Sequence, residues 1–310
     1  MRIIFFGTPD FAVPSLQALV ETGEEVITVV TQPDKVKGRG HRLSRPPVKE
    51  YALSKGIPVI QPAGIRTTEF YSAMAAKSPD IIVVVAYGKI IPPALLKLPA
   101  LGSVNVHASL LPRYRGAAPI QWALIHGDEQ TGITTMLMDE GLDTGDILLK
   151  EEVDIYEEDN ASTLAGRLSE VGASLLIKTL RALRDKVIQP VPQIGKATYA
   201  PPLRKEDGRI NWFLSAQEIA DLIRGTYPWP GAYGYMNGEK ILILKAKALH
   251  QNTEGTAGAI GEVSRNDIYV CTGSGTLVVS EVRPEGKKTM TAAAFLHGRQ
   301  VRTGATFDTL

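Results

Sequence analysis

Asn105 and His107 are the residues whose types and spacing most clearly indicate chemistry. They alternate with Val104 and Val106 in a segment that reads as a β-strand. Side chains two residues apart in a strand lie on one face, so the amide and the imidazole are predicted to point together, away from the two core-facing valines. A carboxamide and an imidazole directed at one spot suit stabilisation of an oxyanion better than covalent catalysis.

An acidic loop after the next predicted strand offers a carboxylate. Residues 139–146 hold three Asp and one Glu, and Gly141 and Gly145 permit a tight turn. We expect Asp143 to fold back toward His107, where it would fix the ring orientation and favour its charged form. The alternative is a plain Asp-Gly turn beside a structural histidine, so the interpretation depends on the combination of motifs.

Composition limits the class of protein. The 310 residues suit two domains, and 44% hydrophobic with 22% charged residues is typical of globular proteins. The single cysteine, Cys271, excludes a disulfide framework and a cysteine metal cluster. The N-terminus enters a strand directly, and no apolar run approaches the ~20 residues of a membrane span. We therefore expect a soluble, cytoplasmic protein without a metal.

The elements that position these residues lie in the first half of the chain, where apolar runs alternate with amphipathic segments. This alternation predicts an α/β fold with a doubly wound, mostly parallel sheet and a ligand beyond the carboxyl ends of its strands. The predicted strands are 2–6, 25–30, 57–60, 80–85, 102–107 and 131–138. The turn after Gly7 lacks the dinucleotide-binding glycine pattern and contains Pro9, which argues against a nicotinamide or flavin enzyme.

The last hundred residues have a different pattern. The predicted organisation is a catalytic domain at 1–189, a proline-containing linker at 190–206 and a second domain at 207–310. Short strands separated by Gly and Asn turns predict a small C-terminal β-barrel of the oligonucleotide-binding type. Its predicted strands are 233–236, 240–249, 258–264, 268–272 and 276–283.

Charge is distributed unevenly, although the net charge is only +1. Residues 35–49 contain six Lys or Arg and no acid, whereas residues 139–159 contain ten acids. This asymmetry indicates a polyanionic partner along one side of the protein, with ordinary solvated charge as the alternative.

These motifs resemble the folate-dependent formyltransferase family over essentially the whole chain. The most specific are Asn-x-His with Ser-Leu-Leu-Pro at 105–112 and Asp-x-Gly-x-Asp-x-Gly-Asp at 139–146. Further similar segments are 6–11, 32–49, 85–88, 115–120, 211–212 and 228–230. The basic loop and the C-terminal barrel are similar to the branch of the family that acts on tRNA.

The resemblance implies transfer of a formyl group from 10-formyltetrahydrofolate to the α-amine of methionine on initiator tRNA, for translation initiation. Asn105 and His107 would stabilise the oxyanion, and Asp143 would hold His107 and help to remove the amine proton. The residues implied to bind the folate are Ser109, Leu110, Leu111, Pro112, Tyr87 and Gly88. The two leucines and the proline are also suited simply to packing a core.

The same resemblance implies which residues contact tRNA in an enzyme expected to act as a monomer. Arg39 and Arg42, with Lys37, would contact the end of the acceptor stem, and Lys287 and Lys288 would contact phosphates. The alternatives are a formyltransferase for a small amine (glycinamide ribonucleotide or an amino sugar nucleotide), a formyltetrahydrofolate hydrolase, and a non-catalytic nucleic-acid-binding protein.

Overall fold

The apolar runs of the first half form the strands of one sheet. The computed structural model describes residues 1–37, 42–251, 253–264, 266–299 and 303–308. Its first strands are β1 (Arg2–Gly7), β2 (Glu25–Val30), β3 (Lys35–Lys37), β4 (Arg42–Ser44), β5 (Val59–Ile60), β6 (Ile81–Val85), β7 (Ser103–His107), β8 (Arg115–Gly116), β9 (Gln130–Leu137), β10 (Ile147–Asp154) and β11 (Tyr199–Ala200). The α-helices are α1 (Val13–Glu21), α2 (Pro47–Ser54), α3 (Thr68–Ala75), α4 (Pro93–Leu96), α5 (Pro119–Ile125), α6 (Ala161–Arg184), α7 (Ala216–Thr226) and α8 (Ala292–Arg299).

The main sheet has seven strands in the order β10-β9-β7-β6-β1-β2-β5. The strands from β7 to β5 pair in parallel, whereas β9 pairs antiparallel with both β7 and β10. This confirms the predicted doubly wound, mostly parallel sheet. Strand β10 is an additional antiparallel edge strand that the sequence analysis did not predict.

The centre of this sheet is apolar because it is covered on both faces. Every residue of β6 is buried, and β1 is buried from Ile3 to Gly7. A parallel strand enclosed in this way reads as a continuous apolar run rather than an alternating one. The carboxyl ends of β1, β6 and β7 lie side by side, and this is the edge at which such sheets bind ligands.

The last third of the chain forms a second, antiparallel sheet. Its strands are β12 (Ala232–Met236), β13 (Glu239–Leu249), β14 (Ile260–Val263), β15 (Ile268–Cys271), β16 (Thr276–Pro284) and β17 (Met290–Thr291). The order is β12-β13-β16-β15-β14, with β17 also paired to β16. Its core contains Trp212, which stacks on Phe307 with ring centroids 4.7 Å apart. The predicted C-terminal β-structure is therefore confirmed.

Contacts divide the chain into two units that are not continuous in sequence. Unit 1 contains residues 1–119, 130–154 and 165–200, and unit 2 contains residues 120–129, 155–164 and 201–310. The domain boundaries drawn at 189 and 207 remain a prediction. Among the described residues, none of the helices combines the length and the apolar character that crossing a membrane requires.

Candidate active site

Strand β7 presents Asn105 and His107 at the end of the sheet. It lies between β6 and β9, with Asn105 opposite Met136 and His107 opposite Thr134 in β9. Asn105 is 9% exposed and His107 is 6% exposed. The alternation of side chains places both on one face of the strand. The strand thus holds two polar side chains in a nearly closed site on a rigid element.

The Asn105 carboxamide is available to a ligand. Within the described part of the chain, its side chain forms no hydrogen bond, although it is almost buried. The amide atoms themselves are not fully enclosed, so they reach the solvent-filled site without a protein partner. The amide is therefore ready to donate to an oxygen atom of a bound substrate.

His107 is oriented by contacts at both ring nitrogens. Its Nε2 lies 2.9 Å from the carbonyl oxygen of Tyr114. Since a carbonyl only accepts, Nε2 must carry a hydrogen and donate it. Its Nδ1 lies 3.7 Å from Oδ2 of Asp143, which is ion-pair distance but longer than a hydrogen bond. Nδ1 is consequently the ring nitrogen that remains free to meet a substrate, beside a carboxylate.

Asp143 reaches this position through a tightly constrained loop. Its φ is +52°, a left-handed conformation in which Asp is several-fold enriched, and its Oδ2 accepts a 2.8 Å hydrogen bond from the Gly116 amide. A Cβ at Gly145 would lie 1.7 Å from the Leu137 carbonyl oxygen, so only glycine fits there. The structure thus brings Asp143 to His107, as the sequence analysis expected.

The loop after β7 is held by a network that the sequence analysis missed. Thr134 Oγ1 donates to the Ser109 carbonyl at 2.7 Å and accepts from the Leu111 amide at 3.1 Å. Lys150 in β10 donates its ammonium to the Leu111 carbonyl. Leu111 and Ser109 are fully buried, whereas Leu110 and Pro112 remain partly accessible. The sequence did not indicate that Thr134 and Lys150 hold this loop, because their hydrogen-bond partners lie 23 to 39 residues away in the chain.

Tyr87 and Gly88, the other implied folate-binding residues, differ in accessibility. The Tyr87 ring meets Phe6 edge-on with centroids 5.1 Å apart, and burial raises the pKa of its hydroxyl to about 12. Its carbonyl accepts from Thr8 Oγ1 and Gln32 Nε2. Gly88 is exposed with φ +82° and has open space at its Cβ position. Any role of this turn in folate binding therefore falls to its main chain, chiefly at Gly88.

The basic segment at 35–49 begins in the β3–β4 hairpin and ends in α2. Lys37 in β3 pairs with Arg42 in β4, and Arg39 lies outside the described residues. Lys49, which belongs to the same basic run, instead donates to both carboxylate oxygens of Asp34 at 2.9 and 2.8 Å. Lys49 thus anchors the base of the hairpin rather than extending its basic surface.

In unit 2, Lys287 and Lys288 are exposed in the turn between β16 and β17. Neither lysine forms an ion pair with a described residue. Their ammonium groups are free to meet an anionic partner.

Comparison with known proteins identifies the family. Residues 1–180 match the model described as Formyl transferase, and residues 202–300 match Formyl transferase, C-terminal domain. The chain is 51% identical over 302 residues to Methionyl-tRNA formyltransferase of Thermodesulfovibrio yellowstonii, covering 97% of each protein.

Solved structures share the fold at lower identity. Methionyl-tRNA formyltransferase from Clostridium thermocellum aligns with a TM-score of 0.56 and 20% identity, covering 80% of this chain and 93% of that one. HypX from Aquifex aeolicus, solved in complex with tetrahydrofolic acid, aligns with a TM-score of 0.63 and 17% identity, covering 100% of this chain and 51% of that one. With both family models matched across the chain and half of its residues shared with a full-length relative, this protein belongs to the formyl transferase family.

Proposed function

We propose that this protein transfers the formyl group of 10-formyltetrahydrofolate to the α-amine of methionine esterified to initiator tRNA. Relatives named methionyl-tRNA formyltransferase match 97–98% of the chain, and both formyl transferase models support the assignment. The observation that carries the mechanism is the unpaired, nearly buried Asn105 carboxamide on the same strand face as His107.

The reaction needs stabilisation of charge more than it needs an enzyme nucleophile. The α-amine of an amino acid has a pKa of about 8, so a useful fraction is unprotonated near neutral pH. Its nitrogen attacks the formyl carbon, and the carbonyl oxygen becomes an oxyanion. Collapse of the adduct breaks the bond to the folate nitrogen, which leaves with the electron pair and takes up a proton.

Each of the three polar residues has a role in that step. Asn105 Nδ2 and His107 Nδ1 donate to the oxyanion, and both lie in a site with little access to water. The Asp143 carboxylate, 3.7 Å from Nδ1, stabilises positive charge on the ring. Asp143 also accepts the proton that the amine loses, directly or through one water molecule.

The folate lies against the loop at 109–112 and the turn at Tyr87–Gly88. The accessible parts of this loop are Leu110 and Pro112, and the accessible part of the turn is the Gly88 main chain. Apolar walls with main-chain donors and acceptors suit a flat heterocycle. No metal takes part in the proposed reaction.

The tRNA is held by basic side chains from both units. Lys37, Arg39 and Arg42 contact the end of the acceptor stem, where Arg recognises bases or phosphates. Lys287 and Lys288 contact phosphates, which position the stem without reading its sequence. The enzyme acts as a monomer in this proposal.

A direct assay tests the proposal against its alternatives. The purified protein is incubated with 10-formyltetrahydrofolate in five parallel arms. The first contains methionyl-initiator tRNA and the second N-acetylmethionyl-initiator tRNA. The others contain glycinamide ribonucleotide, an amino sugar nucleotide or buffer alone. Formylmethionine should form only in the first arm, because the acetylated amine cannot attack. Formylation of a small amine, or loss of the formyl donor at the same rate without acceptor, would contradict the tRNA assignment.

A further inference from the structure

Residues 191–200, assigned from sequence to a linker, run along the active-site loops of unit 1. We call them the strap. Its first residue, Val191, exchanges two main-chain hydrogen bonds of 2.8 and 2.9 Å with Ile147. Its last part pairs in parallel with β8, where Tyr199 and Ala200 lie opposite Arg115 and Gly116. The strap therefore belongs to unit 1 and is attached to it at both ends.

Gln193 is a strap residue whose side chain turns inward between exposed neighbours. Its Nε2 donates to two main-chain oxygens, those of Asp143 and Gly145, both at 2.8 Å. Its Oε1 accepts from Nε and Nη2 of Arg115 at 3.1 and 2.6 Å. The carboxamide thus uses both donor hydrogens and both acceptor lone pairs, and its acceptor bonds are charge-assisted.

These bonds join the two loops that orient the catalytic groups. The 139–146 loop carries Asp143, which Gln193 holds through the main chain. The other loop is the segment at 114–116. It supplies the Tyr114 carbonyl that orients His107 and the Gly116 amide that donates to the Asp143 carboxylate. Arg115, held by Gln193, lies between these two residues in sequence.

The strap also holds the 114–116 loop through Thr198, independently of Gln193. Thr198 accepts from the Tyr114 amide with its hydroxyl at 2.8 Å and from the Arg115 amide with its carbonyl at 2.9 Å. Gln193 consequently ties the main chain of the Asp143 loop to a loop that is already anchored, in addition to the bond between the Gly116 amide and the Asp143 carboxylate.

We infer that Gln193 is a positioning residue that sets the separation of Asp143 and His107 for formyl transfer. The inference rests on the proposed function. The distance of 3.7 Å between Asp143 Oδ2 and His107 Nδ1 depends on the positions of the 139–146 loop and the 114–116 loop. The Gln193 side chain hydrogen-bonds to both loops. Misplacement of a catalytic group by about 1 Å costs up to about 100-fold in rate.

The test replaces Gln193 by Met, which keeps the length of the side chain and removes its hydrogen bonds. Gln193→Met should lower kcat about 10- to 100-fold and leave KM for folate and tRNA unchanged, because the polar atoms of this side chain are already fully hydrogen-bonded within the protein. Gln189→Met, an exposed glutamine four residues earlier, is the matched control and should retain wild-type kcat.

A double-substitution cycle separates positioning from general structural damage. Asp143→Asn keeps an oxygen for the Gly116 amide but removes the charge beside His107. If Gln193 acts through Asp143, Gln193→Met should add little further loss of kcat in the Asp143→Asn background. Additive losses in the cycle, or wild-type kcat for Gln193→Met, would overturn the inference.

Two controls keep the outcome interpretable. Should Gln193→Met fail to fold, Gln193→Glu tests the same point, because it keeps the acceptor for Arg115 and loses the donors to the Asp143 loop. Wild-type protein that formylates no methionyl-tRNA would refute the proposed function instead. A wild-type enzyme that is active while the Gln193→Glu and Gln193→Met variants are equally active would refute the role of Gln193 alone.

Discussion

At the residue scale, the Asn105 side chain combines near-complete burial with a lack of hydrogen-bond partners among the described residues. Asn105→Ala should therefore reduce kcat about 100- to 1,000-fold, equivalent to about 2.7–4 kcal/mol of lost oxyanion stabilisation. Its melting temperature should not fall, since no protein hydrogen bond is lost. Steady-state formylation kinetics and calorimetry on the same sample measure the two effects.

Asn160 provides the opposite control. Its Oδ1 accepts from the amides of Ser162 and Thr163 at the start of α6, which is the bonding of a helix cap. Asn160→Ala should lower stability by about 1 kcal/mol and leave kcat unchanged. An Asn105→Ala protein that loses stability instead of activity would show that the carboxamide has a structural role.

The residues of this site differ in how far the sequence determines them. Asn105 and His107 follow from the alternation of a strand, and the glycines at 141 and 145 allow Asp143 to turn back. The partner of His107 Nε2 is a main-chain carbonyl, which any residue at position 114 would supply. Gln193 carries no local pattern, because its bonds reach 48 to 78 residues along the chain.

At the element scale, α6 approaches the strand that carries the site. A Cβ on Gly172 would lie 3.0 Å from Cγ1 of Val106, whereas a Cβ on Gly166, earlier in α6, meets nothing within 4 Å. Gly166→Ala should stabilise the protein by about 0.5–1 kcal/mol through helix propensity. Gly172→Ala gains the same propensity but overpacks a buried strand, at about 1–3 kcal/mol.

Thermal unfolding and kcat of the two alanine variants check this difference. Gly172→Ala should melt below wild type and lose activity, because the displaced Val106 lies between Asn105 and His107. Gly166→Ala should melt above wild type with unchanged kcat. Equal gains in stability for both variants would mean that α6 and β7 adjust freely.

A second element-scale prediction concerns the base of the β3–β4 hairpin. Hydrogen bonds from Lys49 and then Gln61 lower the pKa of Asp34 below its ordinary value of 3.8. Because the folded pKa is depressed, this contribution to stability is present above the unfolded pKa and is lost as the pH falls through the folded one. Lys49→Met should therefore raise the pKa of Asp34 toward 3.8.

Carboxyl-carbon NMR titration measures this change. Glu69 is the internal reference, since its pKa is lowered by its own main chain and by Thr67 rather than by Lys49. The Glu69 pKa should stay constant in Lys49→Met. An Asp34 pKa that also stays constant would show that Lys49 does not anchor the hairpin.

A strand could be predicted from the sequence where a single hydrophobicity pattern ran through it. Strand β6 is buried at every position and has only Ile and Val, so its sequence has a single interpretation. Strand β10 alternates half-buried and exposed residues from Leu149 onward but contains Lys150, Glu151, Glu152 and Asp154, and this charge concealed it. Its partner β9 supplies the pairing that makes it a strand, which is a tertiary effect.

At the scale of the whole molecule, the two units interleave in sequence. Residues 120–129 and 155–164 belong to unit 2. They nevertheless precede residues 165–200 of unit 1, which contain most of α6 and the strap. Within unit 2, Arg224 donates to the carbonyls of Tyr156, Glu157 and Asp159. Such contacts join segments about 65 residues apart, so a reading that moves along the chain cannot locate them.

The charge of the molecule bears on how it binds tRNA. A net charge of only +1 means that attraction to a polyanion must come from local groups rather than from the whole chain. Each phosphate contact releases counterions, so it contributes about 0.9 to the slope of log affinity against log salt concentration. Lys287→Gln should therefore weaken tRNA binding at low salt and reduce that slope by about 1, as should Lys288→Gln.

The test is a salt titration of tRNA affinity with Lys55→Gln as the matched control. Lys55 is an exposed lysine in unit 1 that the proposed function does not use, so its replacement removes the same charge without a phosphate contact. KM for the formyl donor should be unchanged in all three variants, because the proposed folate site lies at the ends of β6 and β7. If Lys55→Gln reduces the slope as much as Lys287→Gln and Lys288→Gln do, the effect reflects net charge alone, and the turn between β16 and β17 does not contact tRNA.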